Sequence, residues 1–229
     1  MSLQPVLLVH GWAGSFESTW QTPGVAELIR DTGRQVIGVD LLGHGTAPKP
    51  HEPEAYTDLT IRIFDAIPEG TTVDAVGFSL GAITLLEALT IHPERFGRVV
   101  LAGIGDRVFN RPDPADTARI IAGVEGTADE SDKTARLFGH YAHQSNNDLV
   151  AMAAVLKRPA RDPFTPEQIQ KVSNEVLVVI GDHDSAGPSD MLATSFPSGK
   201  LKVIRNVDHF ATTDAFAFID AMLEFIEGN

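Results

Sequence analysis

Thr72-Val73-Asp74-Ala75-Val76-Gly77-Phe78-Ser79-Leu80-Gly81 runs from a short apolar strand candidate into a turn, and Ile83–Ile91 continues it as a helix candidate. The five residues Gly77-Phe78-Ser79-Leu80-Gly81 are Gly-x-Ser-x-Gly in a strand–turn–helix setting, the pattern of a nucleophile elbow. A turn that tight forces the serine into strained backbone angles. Flanking residues without a Cβ avoid a collision there. The Ser79 hydroxyl then stands above the sheet, and the start of the helix sets backbone N–H groups beside it, where an oxyanion would develop. A serine that only caps a helix is the competing reading. The strand before Ser79 and the helix after it favour the nucleophile.

Working outward, short continuous apolar runs alternate with helical stretches. The runs are Pro5–His10, Gln35–Asp40, Thr72–Phe78, Arg98–Gly103, Glu175–Gly181 and Lys200–Arg205. Val, Ile and Leu dominate them, which is how strands buried on both faces read. Helix candidates lie near Trp20–Thr32, Glu54–Ile67, Ser79–Ile91 and Thr213–Ile226. Gly33 is a stop for the first, and Phe216, Ile219, Leu223 and Ile226 give the last one apolar face. The alternation predicts an α/β domain with right-handed crossovers and a parallel sheet. From about Gly105 to Val172 no strand candidate occurs. Helical patterns near Asp116–Val124, Ser131–His143 and Asp148–Leu156 fill that segment. Residues 105–172 are therefore a candidate helical cap between the fourth and fifth strands, because long excursions in α/β domains are commonly functional.

The length of 229 residues suits one α/β domain, 1–229, with its own core. The 31 acids against 18 bases give a net charge of −13, which argues against nucleic acid and anionic membranes as partners. There is no cysteine, so disulfides, thiolate metal sites and a cysteine nucleophile are excluded, and a reducing cytoplasm is the expected setting. Met1-Ser2-Leu3-Gln4-Pro5 has no positive region, Val6–Val9 is too short for a signal segment, and no apolar run is long enough for a membrane span.

A serine hydroxyl needs a base. Among eight histidines, His209 lies beyond the last strand, in Asn206-Val207-Asp208-His209-Phe210 before the final helix. His92 and His51 belong to a helix end and a Pro-rich loop and are expected in solvent. The orienting acid should follow the fifth strand, where Gly181-Asp182-His183-Asp184 offers Asp182 and Asp184. The order Ser79, Asp, His209 differs from that of chymotrypsin and of subtilisin. A metal site on Asp182, His183 and Asp184 is disfavoured, because consecutive residues rarely converge on one ion; His140 and His143 meet the same objection. For the oxyanion, the Leu80 N–H is one expected donor. The second is expected from His10-Gly11-Trp12-Ala13-Gly14, at the backbone N–H of Trp12.

Several blocks together resemble the α/β-hydrolase superfamily over nearly the whole chain, most weakly over 105–172. Val9-His10-Gly11-Trp12 resembles its oxyanion loop, and Asp40-Leu41-Leu42-Gly43-His44-Gly45 its Asp-x-x-Gly-x-Gly turn. Gly77–Gly81 resembles its elbow, with His92-Pro93-Glu94-Arg95 and Val99-Val100-Leu101 following. Gly181-x-x-Asp184 and Asp208-His209 resemble its acid and base blocks. The resemblance places the acid three residues after that glycine, at Asp184. It also implies a trimmed parallel sheet of six strands in the order 2-1-3-4-5-6, without the family's usual opening hairpin. Asp208 replaces a common glycine, and a carboxylate near His209 would favour the imidazolium. The resemblance implies a cofactor-free, metal-free serine esterase acting on small or medium carboxylic esters, with a monomer as the default. Lactone, thioester and carbon–carbon hydrolysis use the same machinery, and a hydrolase-fold small-molecule receptor is the alternative class. Phe109, Phe138, Tyr141, Met152 and Phe164 are candidate walls in the cap.

Overall fold

The computed structural model describes residues 3–143 and 147–228. In chain order the main elements are β1 (Val6–Val9), α1 (Val25–Asp31), β2 (Val36–Val39), α2 (Ile61–Ala66), β3 (Val73–Phe78), α3 (Leu80–Ile91) and β4 (Phe96–Ala102). Four helices follow: α4 (Pro114–Glu125), α5 (Lys133–His143), α6 (Leu149–Lys157) and α7 (Pro166–Ile169). Then come β5 (Glu175–Gly181), α8 (Asp190–Ser195), β6 (Ser198–Ile204) and α9 (Phe216–Glu227). The strands form one sheet in the order β2-β1-β3-β4-β5-β6, with every pairing parallel. The alternation of runs and helices predicts this all-parallel sheet, and the family resemblance implies its strand order.

The sheet separates two cores because side chains alternate across each strand. Val6 and Leu8 of β1 face Trp20, Ile29, Phe218 and Met222, the layer of α1 and α9. Leu7 and Val9 face the other layer, which contains Leu85 and Leu89 of α3 and reaches Met152 and Val155 of α6. Strands β1 and β3 are buried along their whole length, β3 together with its one charged residue, Asp74. The edge strand β6 differs from the expectation. Ser198 to Lys202 alternate between exposed and half-buried, Val203 is exposed, and only Ile204 is buried. Lys200 and Lys202 supply the charge that keeps an open edge from pairing with another chain.

Helix boundaries moved where glycine or a local turn intervenes. The stretch expected as one helix from Trp20 splits into a π-helical turn, Glu17–Gln21, and α1, with Gly24 at φ 86° between them. The Glu54–Ile67 stretch splits into a 3-10 turn, Pro53–Tyr56, and α2. The short helices α7 and α8 were not foreseen; Thr165 and Gln168 form a capping box that starts α7. Between β4 and β5, α4 and α5 pack backbone to backbone. A Cβ on Gly123 would strike the Ala135 carbonyl, and one on Gly139 would strike the Gly123 carbonyl.

Two buried polar clusters fasten the sheet. At its lower end the Arg34 guanidinium donates to Asp74 at 2.5 Å, to the Ile226 carbonyl at 2.9 Å and to the Gln4 carbonyl at 2.8 Å. The other Asp74 oxygen accepts the Arg98 N–H at 2.6 Å, where the β3–β4 register skips between Val73 and Ala75. At the upper end His10 and His44 are fully buried, with ring centroids 5.1 Å apart. The His10 Nδ1–H donates to the Gly11 carbonyl and its Nε2 accepts the Leu41 N–H. That pattern requires the neutral ring, and burial lowers its pKa. Burial, with the neighbouring His10 second, pushes the His44 pKa down to about 3.

Both clusters generate expectations. Asp74→Ala leaves a buried guanidinium without its counter-charge and is expected to cost about 3 kcal/mol in urea unfolding. His44 binds a proton in the unfolded chain below about pH 6.5 but resists it in the folded state until about 3. Stability therefore falls as pH drops through that window, by about 2 kcal/mol at pH 5 relative to pH 7 from this group alone. Urea titrations at the two pH values should show that loss, and His44→Asn should remove it.

Candidate active site

The turn from β3 into α3 holds Ser79 at φ 51°, ψ −115°, a conformation side chains seldom adopt. Its N–H donates to the Ala102 carbonyl at 2.8 Å, so β4 fixes the turn from the side. The flanking glycines are required by contact. A Cβ on Gly77 would lie 2.8 Å from the Ala82 Cα, and one on Gly81 would strike the His10 and Val9 carbonyls. The elbow thus rests directly on the end of β1.

The sheet brings His209 and Asp184 to the same place. After β6 the chain turns at Asn206, φ 58°, and lies on β5 so closely that a Cβ on Gly181 would strike the Val207 carbonyl. His209 Nδ1 is 2.8 Å from an Asp184 oxygen, and its Nε2 is 2.9 Å from Ser79 Oγ. A carboxylate at Nδ1 assigns the proton there, so Nδ1–H donates to Asp184 and Nε2 accepts from the serine hydroxyl. The Asp184 side chain is fully buried and the His209 ring 19% exposed. The other Asp184 oxygen accepts the Ala186 N–H at 2.8 Å. Asp182 lies apart from this line: its carboxylate accepts the Asn206 N–H at 2.7 Å and shapes the loop. The Asp208 carboxylate accepts the Ala211 N–H at 3.0 Å, a local turn contact.

The loop after β1 packs against the serine. A Cβ on Gly11 would come within 3.3 Å of the Ser79 Cβ. The N–H of Trp12 and the N–H of Leu80, at the start of α3, have no carbonyl or side-chain acceptor among the described residues. Leu80 follows Ser79 directly, and Trp12 follows Gly11, which lies against it.

Helices α5 and α6 cover this end of the sheet. Phe210 stands edge-on to His209, with centroids 5.6 Å apart, and touches Phe138 at 5.4 Å and Tyr141 at 5.2 Å. Trp12 lies 5.9 Å from Phe138 and donates its indole N–H to the Met152 carbonyl at 3.2 Å. Of the five expected cap walls, Phe138 and Tyr141 join this aromatic group. Met152 is wholly buried in the core, and Phe164 is buried beneath the Arg161 guanidinium. Phe109 packs at the margin of the core. Phe210 and Asn147 were not singled out from sequence. Phe210 carried one signal, its place beside His209; Asn147, in a run of polar residues, carried none.

The remaining histidines have local roles. His51 pairs with Asp148 and His92 with Glu94, each imidazole about half exposed, and His143 Nδ1 donates to the Gly139 carbonyl. Among the described residues no three His, Asp or Glu side chains gather as metal ligands, and no helix is long and apolar enough to cross a membrane. A groove of about 440 Å³ lies on the far side of α6, lined by Pro53, Val124, Leu149 and Ala153 and ended by His51 and Lys157. It includes neither Ser79 nor His209.

Known proteins agree with this architecture. The family model for the alpha/beta hydrolase fold matches residues 4–167. The 2-hydroxymuconate semialdehyde hydrolase of Pseudomonas putida is 27% identical over 240 residues, covering 90% of this chain and 80% of that one. The esterase from Exiguobacterium antarcticum superposes with a TM-score of 0.74 at 19% identity, over 99% of this chain and 93% of that one. The enol-lactonase from Burkholderia xenovorans LB400 gives 0.71 at 16% identity, over 99% and 92%. With a family match that spans well over half its length and the six-stranded parallel sheet described above, the chain belongs to the α/β-hydrolase fold family.

Proposed function

We propose that this protein is a serine hydrolase that cleaves small or medium carboxylic esters through an acyl-enzyme on Ser79. The observation that carries the reading is the unbroken line Asp184–His209–Ser79, at 2.8 and 2.9 Å, beneath two unpaired backbone N–H groups. Ser79 Oγ attacks the ester carbonyl while His209 Nε2 takes its proton. The N–H groups of Trp12 and Leu80 receive the negative charge on the carbonyl oxygen. His209 then returns the proton to the departing alcohol, and the acyl group stays on Ser79. Water, deprotonated by His209, attacks the acyl carbon and releases the acid. Asp184 holds the imidazole in the required tautomer and stabilises its charged form. Residues 105–172 act as the cap: Phe138 and Tyr141, with Phe210 and Trp12, wall the acyl side with rings.

The name of the Pseudomonas putida relative supports a second reading, hydrolysis of a conjugated oxo acid by the same three residues. Such a substrate brings a carboxylate. Of the six arginines in 105–172, Arg111 and Arg119 pair with Asp162 and Asp132, Arg136 and Arg158 donate to the Glu130 and Val155 carbonyls, Arg161 covers Phe164, and Arg107 is exposed. With a net charge of −13 around it, the site favours a neutral ester.

p-Nitrophenyl esters from acetyl to octanoyl test the reading, with a carbon–carbon substrate of the relative's class as comparison. Ser79→Ala is expected to remove both the burst and the turnover. Asp184→Asn is expected to lower kcat on the order of 10⁴-fold, while Asp182→Asn stays within about tenfold of the natural protein. Phe138→Ala is expected to raise the octanoyl-to-acetyl ratio of kcat/KM about tenfold by opening the ring wall. An unchanged ratio would remove Phe138 from the acyl side.

A further inference from the structure

The loop that carries the Trp12 N–H is a turn under strain. The Gly14 N–H donates to the Gly11 carbonyl at 3.1 Å, closing a four-residue turn. Ala13, its third residue, has φ 62°. That position in such a turn ordinarily takes glycine, because a Cβ is disfavoured at positive φ. With alanine there, the turn can relax by flipping the peptide between Trp12 and Ala13. The flip would exchange the Trp12 carbonyl and the Ala13 N–H immediately beside the oxyanion donor. Something outside the loop must hold it against that relaxation.

The cap supplies the holding contacts. The Asn147 side-chain amide donates to the Ala13 carbonyl at 2.8 Å and to the Ala142 carbonyl, at the end of α5, at 3.2 Å. Both acceptors are carbonyls, so the NH₂ end of Asn147 must face them. The next residue, Asp148, caps α6 by accepting the N–H groups of Val150 and Ala151, and it pairs with His51 at 2.9 Å. Asn147 therefore stands on a fixed base, between the end of α5 and a capped helix start. The Trp12 indole N–H, donated to the Met152 carbonyl of α6, ties the same loop to the same helix.

We propose that Asn147 is a positioning residue for the oxyanion hole: its amide pins the Ala13 carbonyl and keeps the strained Gly11–Gly14 turn in the conformation that presents the Trp12 N–H. The inference rests on Ser79 being the nucleophile described above. It gives the cap a part in the chemistry beyond walling the acyl group, because the donor on the core is held by an amide from the cap.

The test uses the full chain and a fluorophosphonate ester. Its reaction with Ser79 displaces fluoride, forms the oxygen–phosphorus bond and places developing charge on an oxygen of the phosphonyl group. The readout is the second-order rate of labelling, with thermal unfolding of each variant recorded beside it. Asn147→Ala and the near-isosteric Asn147→Asp, which offers no donor, are expected to label at least about tenfold more slowly. Each should also lower kcat for p-nitrophenyl acetate with little change in KM. Adding Ala13→Gly to Asn147→Ala relieves the strain that Asn147 opposes and is expected to recover most of the lost rate. Labelling of both Asn147 variants at the natural rate would overturn the proposal while leaving the nucleophile in place. A loss that Ala13→Gly does not recover would overturn it as well and would assign Asn147 to holding the cap together. If the natural protein fails to label, or if Ser79→Ala labels equally well, the reading of Ser79 falls and this inference falls with it.

Discussion

The backbone of Ser79 is the constraint on which the rest of the site depends. At φ 51°, ψ −115° the residue is stable only because its surroundings leave no alternative. β3 enters the turn fully buried, α3 leaves it with Leu80, Gly81 and Ala82 buried, and β4 takes the serine N–H. Gly81 lies against the carbonyls of Val9 and His10, so the elbow also fixes where β1 ends. The chain that continues from β1 must then run past the serine, and Gly11 permits that approach. The course of the Gly11–Gly14 loop is therefore a direct consequence of the elbow's packing on β1.

The loop after β6 completes the site, and two glycines let it approach. Gly181 lets the loop after β6 lie on the end of β5, and this contact brings His209 toward Ser79. Gly103, just past β4, leaves room for the rings: an added Cβ would lie 2.7 Å from Phe78 and 3.2 Å from His209. Phe78 fills the remaining space beside His209, with centroids 5.1 Å apart. The imidazole has little freedom to rotate away from either partner. Its orientation is set by packing as well as by the Asp184 hydrogen bond.

Much of this was legible in the sequence because the information is local. Continuous Val, Ile and Leu runs read as strands, and Gly-x-Ser-x-Gly between a run and a helix marks its own backbone geometry. What escaped depends on directions and distant partners. Asp182 and Asp184 are alike as residue types, and only the family spacing after Gly181 favours Asp184; in the structure the loop after β6 gives the Asn206 N–H to Asp182 and the His209 ring to Asp184. Asn147 is one polar residue among several, and its importance lies in the Ala13 carbonyl, 134 positions away. The exposed alternation of β6 was written in Lys200 and Lys202, but an edge is a property of the sheet and not of one strand. The break at Gly24 inside a longer helical pattern is a similar case, since a glycine there is compatible with either outcome until φ is known.

Charge explains why the precision of the donor loop matters in the proposed reaction. The site interior holds one buried carboxylate, Asp184, and the imidazole that pairs with it. When His209 takes the serine proton, the resulting imidazolium is largely matched by Asp184. In that reaction Arg158 and Arg161 offer the new oxyanion little, since they face Glu87 and Phe164, and the chain as a whole is strongly acidic. Stabilisation of the oxyanion in the proposed reaction falls to the N–H groups of two buried residues, Trp12 and Leu80, where a hydrogen bond to a charge is worth roughly twice a neutral one. Leu80 is fixed by α3, but Trp12 lies on a turn whose own preference opposes its geometry. On the proposed reaction an acidic hydrolase has reason to clamp that turn from outside, and the contacts of Asn147 with Ala13 and of Trp12 with Met152 are placed to do so.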